Sequence, residues 1–423
     1  MAQSLSEAAK LLLAEVRDRY LNSGDFNGFY LAGRGTDSVV VDAAVELLDH
    51  GLIQVVGEND YMNIHIRPWP SRRTVDAQRD ELRALAPEMY GVCLYPTAAG
   101  MQSVRMPKRF KDSPYSLEMA RGHSTLELTF FSADVLEPYR NDPRFHFDYS
   151  DFGVNMGIGD DAYLDEGEPQ RDKFGLSHIG FAYDLSGFDP DDPDSPIVRR
   201  VAAFYGDLAD ITPEHQQRWR TYEVPRDGLH PHPVWWGTQM GHWPDGLGPF
   251  DRLFYELENI SELFERVWGK PLLTTVKRPS EFGWILRPSQ REWDEFIVQL
   301  DKVLSENLSH ASFDAASVLK HDRSGNNMGT LSRLESFMVS NRVAADRAKE
   351  VLRPLRSVRS ARQKPAHALR KNVTDKTFVH RQVDLLHDVN ESLLAMRYWL
   401  ASHPKNRESW KARFDEDEKD YRF

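Results

Sequence analysis

The feature that most constrains the fold is a change of pattern near residue 287. From there to Pro404 the apolar residues recur at helical spacing, and a capping box of Ser289 and Glu292 opens the first helix. Further helices are predicted over 330–339, 343–361, 366–372 and 375–402, the last one stopped by Pro404. The pattern predicts an antiparallel helical bundle over 286–405, followed by a charged tail at 406–423.

Within this bundle an arginine and a histidine stand on either side of a predicted helix junction. Pro365 cannot continue a helix, so we expect it to open a new one, with Arg362 ending the preceding helix and His367 in the first turn of the next. At about 100° per residue, Leu355, Val358 and Arg362 share one narrow sector. Arg362 therefore continues an apolar stripe. A charged side chain on the buried side of a helix is unusual and indicates a structural or functional role.

The segment around this pair is basic, although the protein as a whole is acidic. Residues 342–371 contain ten Lys and Arg against two acidic residues, whereas the whole chain has a formal net charge of −12. A charge that served solubility alone would have the sign of the remainder. The patch therefore indicates a site that takes an anion.

Length and composition favour a soluble cytoplasmic protein of several domains. With 423 residues the chain is long enough for two or three domains, each with its own core. No apolar run approaches the length of a membrane span, and the N-terminus lacks the basic start and apolar core of a secretory signal. A single cysteine, Cys93, excludes an intrachain disulfide framework and a cysteine-rich zinc site.

Residues 1–70 predict a winged-helix-like unit. Helices over 4–20 and 37–50, with a short helix possible after Phe26, precede a hairpin whose strands LIQVV and YMNIHI are joined by the turn GEND. A DNA-reading helix presents basic or amide side chains to the groove. The second helix has acidic residues and no Lys or Arg, which favours a structural or partner-docking role.

Residues 71–285 predict a mixed α+β central domain of unassigned role. Strands are expected at 126–131 and 178–185, and an exposed acidic loop follows the second of them. The predicted fold class of the whole chain is therefore α+β and multidomain, with an all-helical C-terminal part.

The all-helical C-terminal part with R-x4-H at a helix junction resembles the HEPN superfamily. Ribonuclease members of that superfamily carry an R-x4-6-H motif in a bundle of four to five helices. The strings LRPLRSVRSARQKPAHALRKN and ITPEHQQRWRTYEVP are also similar to a group of uncharacterised bacterial proteins. Gln363 follows the arginine directly, where catalytic HEPN members often have Asn, Asp or His; glutamine also donates and accepts hydrogen bonds.

The resemblance implies a metal-independent endoribonuclease that acts as a homodimer, with two motifs meeting at a two-fold axis. His367 would transfer protons and Arg362 would stabilise charge on the phosphorane, without a metal or other cofactor. Residues expected to contact RNA are Arg356, Arg359, Gln363, Lys364 and Arg370. By analogy, such a nuclease is a bacterial toxin or a phage-defence protein, held inactive until a trigger reaches another part of the chain.

Several alternatives stay open at the level of sequence. Arg362 and His367 can be structural, with the arginine paired to a carboxylate inside the bundle. The bundle can also dimerise and bind RNA or a nucleotide without cleaving it. His230, His232 and His242 have spacing that could suit zinc, but the tryptophans and prolines around them favour a packed aromatic loop. Acidic residues at 189–194 lack the glycine and final glutamate of a calcium loop.

Overall fold

The computed structural model describes residues 5–31, 37–57, 60, 73–84, 92–158, 174–187, 189, 192, 195, 197–363 and 371–407. Helices occur together with two antiparallel sheets, so the predicted mixed α+β class is confirmed. No helix within these ranges has the length and apolar character needed to cross a membrane. The chain divides into two compact units.

The first unit comprises Met1–His146, Asn155–Ala182 and Arg200–Trp243. The chain passes between the units within strands β5 to β8, so these strands contain residues of both. In chain order the elements up to residue 243 are α1 (Glu7–Asn22), β1 (Phe29–Tyr30), α2 (Ser38–Asp49), β2 (Ile53–Val56), α3 (Val75–Ala84), β3 (Cys93–Pro96), α4 (Ala98–Met101), α5 (Pro114–Ala120), β4 (Leu128–Ser132), α6 (Glu137–Arg140), β5 (Phe145–Tyr149), β6 (Gly153–Ile158), β7 (Gly175–Asp184), β8 (Val198–Phe204), α7 (Tyr205–Asp210), α8 (Pro213–Thr221), β9 (Glu223–Val224), β10 (Leu229–Pro231) and α9 (Pro233–Gln239).

The N-terminal helices form where the sequence predicts them. Ser6 caps α1 and Asp37 caps α2, and their apolar faces pack with β2 and β3 in one core. The short helix expected after Phe26 is wrong. Phe26 has a left-handed φ of 53°, and Phe29–Tyr30 form β1, which pairs with β3.

The winged-helix interpretation stays a prediction. The first strand of its expected hairpin is β2, which pairs antiparallel with β3 in a sheet of order β1-β3-β2. The expected second strand, residues 61–66, lies outside the described residues. The described part of this region is therefore a helical pair backed by a three-stranded sheet.

A seven-stranded sheet follows, with the order β5-β6-β7-β8-β4-β9 and with β10 paired to β7. Fully buried Trp219 of α8 packs edge-on against Phe131 of β4 and donates its indole N–H to Tyr139 Oη over 3.1 Å. The same hydroxyl lies 2.8 Å from Nδ1 of buried His215. These side chains fix α8 and α6 against the sheet, because each polar atom is paired within the core.

Asp207, in the first turn of α7, makes the stability of the fold depend on pH. Burial, and then the nearby Asp210, raise the pKa of Asp207 from 3.8 to about 7. The folded chain therefore holds this proton more tightly than the unfolded chain, so the stability contributed at low pH is lost as pH rises from about 4 to about 7.

We expect Asp207→Asn to flatten the pH dependence of the unfolding free energy over that range. Above about pH 7 the variant should be more stable than the wild type by about 2 kcal/mol, less than the full shift implies because Asp207 as a residue keeps part of its surface exposed to solvent. Urea denaturation at several pH values measures this. Asp148→Asn, at an exposed position on β5, is the control and should leave the slope unchanged.

The second unit comprises Phe147–Val154, Tyr183–Arg199 and Pro244–Phe423. Its longest described elements, α10 and α16, pack along each other. The α-helices described in this unit, outside 364–370 and 408–423, are α10 (Pro249–Trp268), α11 (Gln290–Asp301), α12 (His310–Ala315), α13 (Thr330–Ser340), α14 (Ala345–Val351), α15 (Arg353–Gln363) and α16 (Thr377–Ala401).

Helix α10 is not among the elements predicted from the sequence. The apolar face of α10 is buried. The buried carboxylate of Glu256, also on α10, pairs with Arg397 of α16 at 2.7 Å and with Arg252 at 2.9 Å. Its first N–H groups, of Phe250 and Asp251, donate to Oδ2 of buried Asp151 over 3.0 and 3.1 Å. The cap of α10 thus comes from a distant segment of the same unit.

Two other helix predictions in this unit have different outcomes. The capping box predicted for α11 forms only in half. Ser289 Oγ accepts the N–H of Glu292, but the N–H of Ser289 donates to Arg287 O, and the Glu292 carboxylate accepts from Leu286 and Arg287 instead. The single helix predicted over 343–361 is wrong, since it divides into α14 and α15 at Leu352. Pro354 has no N–H to continue the ladder of α14. The helix predicted over 366–372 lies largely outside the described residues.

Candidate functional site

Arg362 lies in the last turn of α15 and is held by two acidic side chains of the same unit. Its Nη1 donates to Oδ2 of Asp301 over 2.6 Å and also contacts Oε1 of Glu306. The expected apolar stripe is confirmed for Leu355 and Val358, which are buried, while Arg362 keeps 30% of its side chain exposed. The arginine ends the stripe by reaching a buried carboxylate.

Arg359, one turn earlier, binds the same acid. Its Nη1 donates to Oδ2 of Asp301 over 3.1 Å and to Oγ of Ser305 over 3.0 Å. Two guanidinium groups therefore share one carboxylate oxygen. We call Asp301, Ser305, Glu306, Arg359 and Arg362 the Asp301 cluster.

The backbone next to Asp301 is irregular, and this brings the acidic side chains together. Asp301 is the last residue of α11, and a turn of π-helix, Lys302–Glu306, follows it directly. Ser305 donates its hydroxyl to Asp301, and Thr330 Oγ1 donates to the carbonyl of Ser305 over 2.7 Å. Single π-turns are rare and occur often at functional sites.

The cluster is electrically balanced but keeps unused hydrogen-bond donors. Two arginines face two carboxylates, and the hydrogen bonds with Asp301 and then Glu306 raise the pKa of Arg362 above its usual value, so its charge is permanent. Within the described ranges, both arginines use only Nη1, and Nε and Nη2 of each make no hydrogen bond. Each guanidinium is thus anchored by one nitrogen and able to bind an anion with the others.

The other predicted RNA contacts differ in what the structure shows. Arg356 pairs with Glu335 of α13, and Gln363 is exposed at the end of α15. His367, Lys364 and Arg370 lie outside the described residues. The structure therefore brings Arg359 and Arg362 together on one acid and places Arg356 on a separate one.

The described chain resumes at the opposite end of α11. The N–H of Gln290, the first residue of α11, donates to Val373 O over 2.9 Å, and Asn372 Oδ1 accepts from Arg291 N over 3.1 Å. Arg359 and Arg362, which precede His367 in the chain, thus bind the last turn of α11 and the residues after it. Asn372 and Val373, which follow His367, bind the first turn of α11.

The acidic residues of this cluster were not predicted from the sequence. Asp301 and Glu306 precede Arg359 and Arg362 by more than fifty residues, so no local spacing connects them. One signal was present: Asp301 stands four residues after buried Ile297 and four before Ser305, so it falls on the buried side of its helix. A carboxylate there needs a cation.

The other candidate clusters show no metal-binding arrangement in the part of the chain that the structure describes. His232 is buried, and its Nδ1 accepts the N–H of Val234 at the start of α9. Among the residues that the structure describes, no group of three or more His, Cys, Asp or Glu is arranged to hold a metal ion. Part of the acidic loop at 188–196 lies outside them.

Comparison with known proteins does not assign the chain to a family. No family model, curated protein or solved structure matches the chain. The chemistry of the site therefore depends on the groups of the Asp301 cluster and on the residues that follow it in sequence.

Proposed function

We propose that the protein is a metal-independent endoribonuclease whose C-terminal helices bind RNA phosphate through Arg359 and Arg362 and transfer protons through His367. One observation carries the proposal: a buried carboxylate anchors two arginines by one nitrogen each, and these arginines stand five and eight residues before the histidine in the chain. Anchored guanidinium groups are preorganised for a phosphate, since little freedom is lost when the anion binds.

The reaction needs few protein groups because RNA supplies its own nucleophile. A base removes the proton of the 2′-hydroxyl, whose oxygen attacks the adjacent phosphorus, and an acid protonates the departing 5′ oxygen. The products are a 2′,3′-cyclic phosphate and a 5′-hydroxyl. In this proposal His367 exchanges protons, while Arg362 and Arg359 stabilise the charge that develops on the phosphorane oxygens.

The proposal includes a homodimer and a defensive role. One histidine cannot be base and acid in the same step, so two motifs at a two-fold axis would supply both. A nuclease directed at the RNA of its own cell must be restrained, which fits a bacterial toxin or phage-defence protein with sensing or docking parts before the helices. This last step follows by analogy with the HEPN superfamily.

A second candidate is a protein that binds RNA or a nucleotide without cleaving it, with the helices used for dimerisation. Arg362 favours this reading, because its Nη1 is already engaged by two acids of its own unit. The cluster would then fix α15 to α11 and present positive charge without chemistry.

RNA cleavage by the wild-type protein tests the proposal. We expect single-stranded RNA to be cut in the presence of EDTA and to yield 2′,3′-cyclic phosphate ends, detected by mass spectrometry. The same oligonucleotide with 2′-deoxyribose should stay intact because it lacks the nucleophile. Binding of RNA without cleavage, in the dimer and with cell extract added, would instead support the second candidate.

A further inference from the structure

The two acids that hold the arginine pair differ in their exposure. The side chain of Asp301 is fully buried, whereas 41% of that of Glu306 is exposed. Glu306 contacts Nη1 of Arg362, and its Oε1 lies 3.9 Å from Nη1 of Arg359. Asp301 therefore anchors the pair from inside, and Glu306 is the anion that solvent reaches.

Exchange of Glu306 for a phosphate group would keep the charges of the cluster balanced. With both acids in place, two positive charges face two negative ones. A phosphodiester carries one negative charge and presents oxygen acceptors, as a carboxylate does. A phosphodiester that took the place of the Glu306 carboxylate would leave the balance unchanged and could also use the unpaired Nε and Nη2 donors.

We infer that the position of the Glu306 carboxylate is a phosphodiester subsite, and that Glu306 is an internal competitor which RNA displaces. The inference rests on the proposed function, because it assumes that RNA reaches Arg359 and Arg362. Displacement needs only rotation of an exposed side chain, and exposed ion pairs are weak. Asp301 stays in place and keeps both arginines oriented during the exchange.

The inference predicts opposite effects for two substitutions that each remove one negative charge. Glu306→Gln should bind RNA about three- to tenfold more tightly, because a weak competing ion pair is lost. Asp301→Asn should bind more weakly, because the arginines lose their anchor. A general electrostatic effect would instead shift both variants toward tighter binding.

The measurement is fluorescence anisotropy of a short labelled 2′-O-methyl RNA, which has phosphates but no free 2′-hydroxyl, with the full-length protein at fixed salt. The control is Glu295→Gln. Glu295 has 42% of its side chain exposed and pairs with Arg291 at 2.9 Å on α11, so this variant matches the change in charge and in exposure. Thermal unfolding of each variant shows that it is folded.

Tighter binding by Glu306→Gln, with Glu295→Gln equal to the wild type, supports the inference. If the wild type binds RNA and Glu306→Gln binds it equally well or more weakly, the inference is overturned. The proposed function is not affected by that result. If neither the wild type nor Glu306→Gln binds more RNA than Arg362→Ala does, both the proposed function and the inference fail.

Discussion

Replacement of His367 by alanine is expected to reduce RNA cleavage about 100- to 10,000-fold, the range that a general acid or base contributes. Arg362→Ala should reduce cleavage about 100- to 1,000-fold, because it removes a fixed charge from the transition state. Arg362→Lys should recover little of this loss. A lysine keeps the charge, but it cannot hold Asp301 with one nitrogen and offer a planar pair of donors to phosphate.

Two matched variants separate chemistry from general damage. His387→Ala removes an exposed histidine of α16, and Arg353→Ala removes an exposed arginine from the first turn of α15. Both should cleave RNA at the wild-type rate. Equal cleavage by the wild type, His367→Ala and Arg362→Ala would place the chemistry in another part of the chain.

The combined variant Arg359→Ala with Arg362→Ala is expected to lower the free energy of unfolding by about 3–5 kcal/mol, because it leaves Asp301 buried without a cation. Either substitution alone should cost about 1–2 kcal/mol, since the other arginine still pairs with the acid. Single variants are therefore suitable for activity measurements.

Addition of Asp301→Asn to the double variant tests the cause of that loss. If an unpaired buried charge destabilises the fold, its removal should restore more than half of the lost stability in urea denaturation. Arg347→Ala with Arg353→Ala removes the same number of positive charges from exposed positions and should cost below about 1 kcal/mol. A triple variant as unstable as the double one would attribute the loss to packing.

What could be predicted from the sequence was set by local rules. The Ser289 cap of α11 and the buried positions Leu355 and Val358 involve residues a few positions apart, so spacing was sufficient to find them. Helix α10 was missed although Pro249 in its first turn and Gly269 just after its last residue are local signals for a helix; only its side-chain cap, Asp151, comes from another segment. The cap is invisible to a local pattern.

The candidate site shows the same division. Arg362 could be selected from its place in an apolar stripe, but the reason for that place is Asp301, 61 residues earlier in the chain. Which arginines share one acid depends on how α15 lies against α11, and this is a property of tertiary packing. The arginines of the site could therefore be identified from the sequence, whereas the acidic residues that orient them could not.

The cap on α10 also bears on the order in which the chain can mature. Asp151 is synthesised about 100 residues before the N–H groups that it binds. The hydrogen bonds between segment 147–154 and α10 can therefore form only after α10 has been synthesised. A fragment that starts at residue 244 keeps the whole Asp301 cluster but lacks Asp151, and its first helix would fray. Cleavage of the chain at a single peptide bond before α10 therefore separates this helix from its side-chain cap.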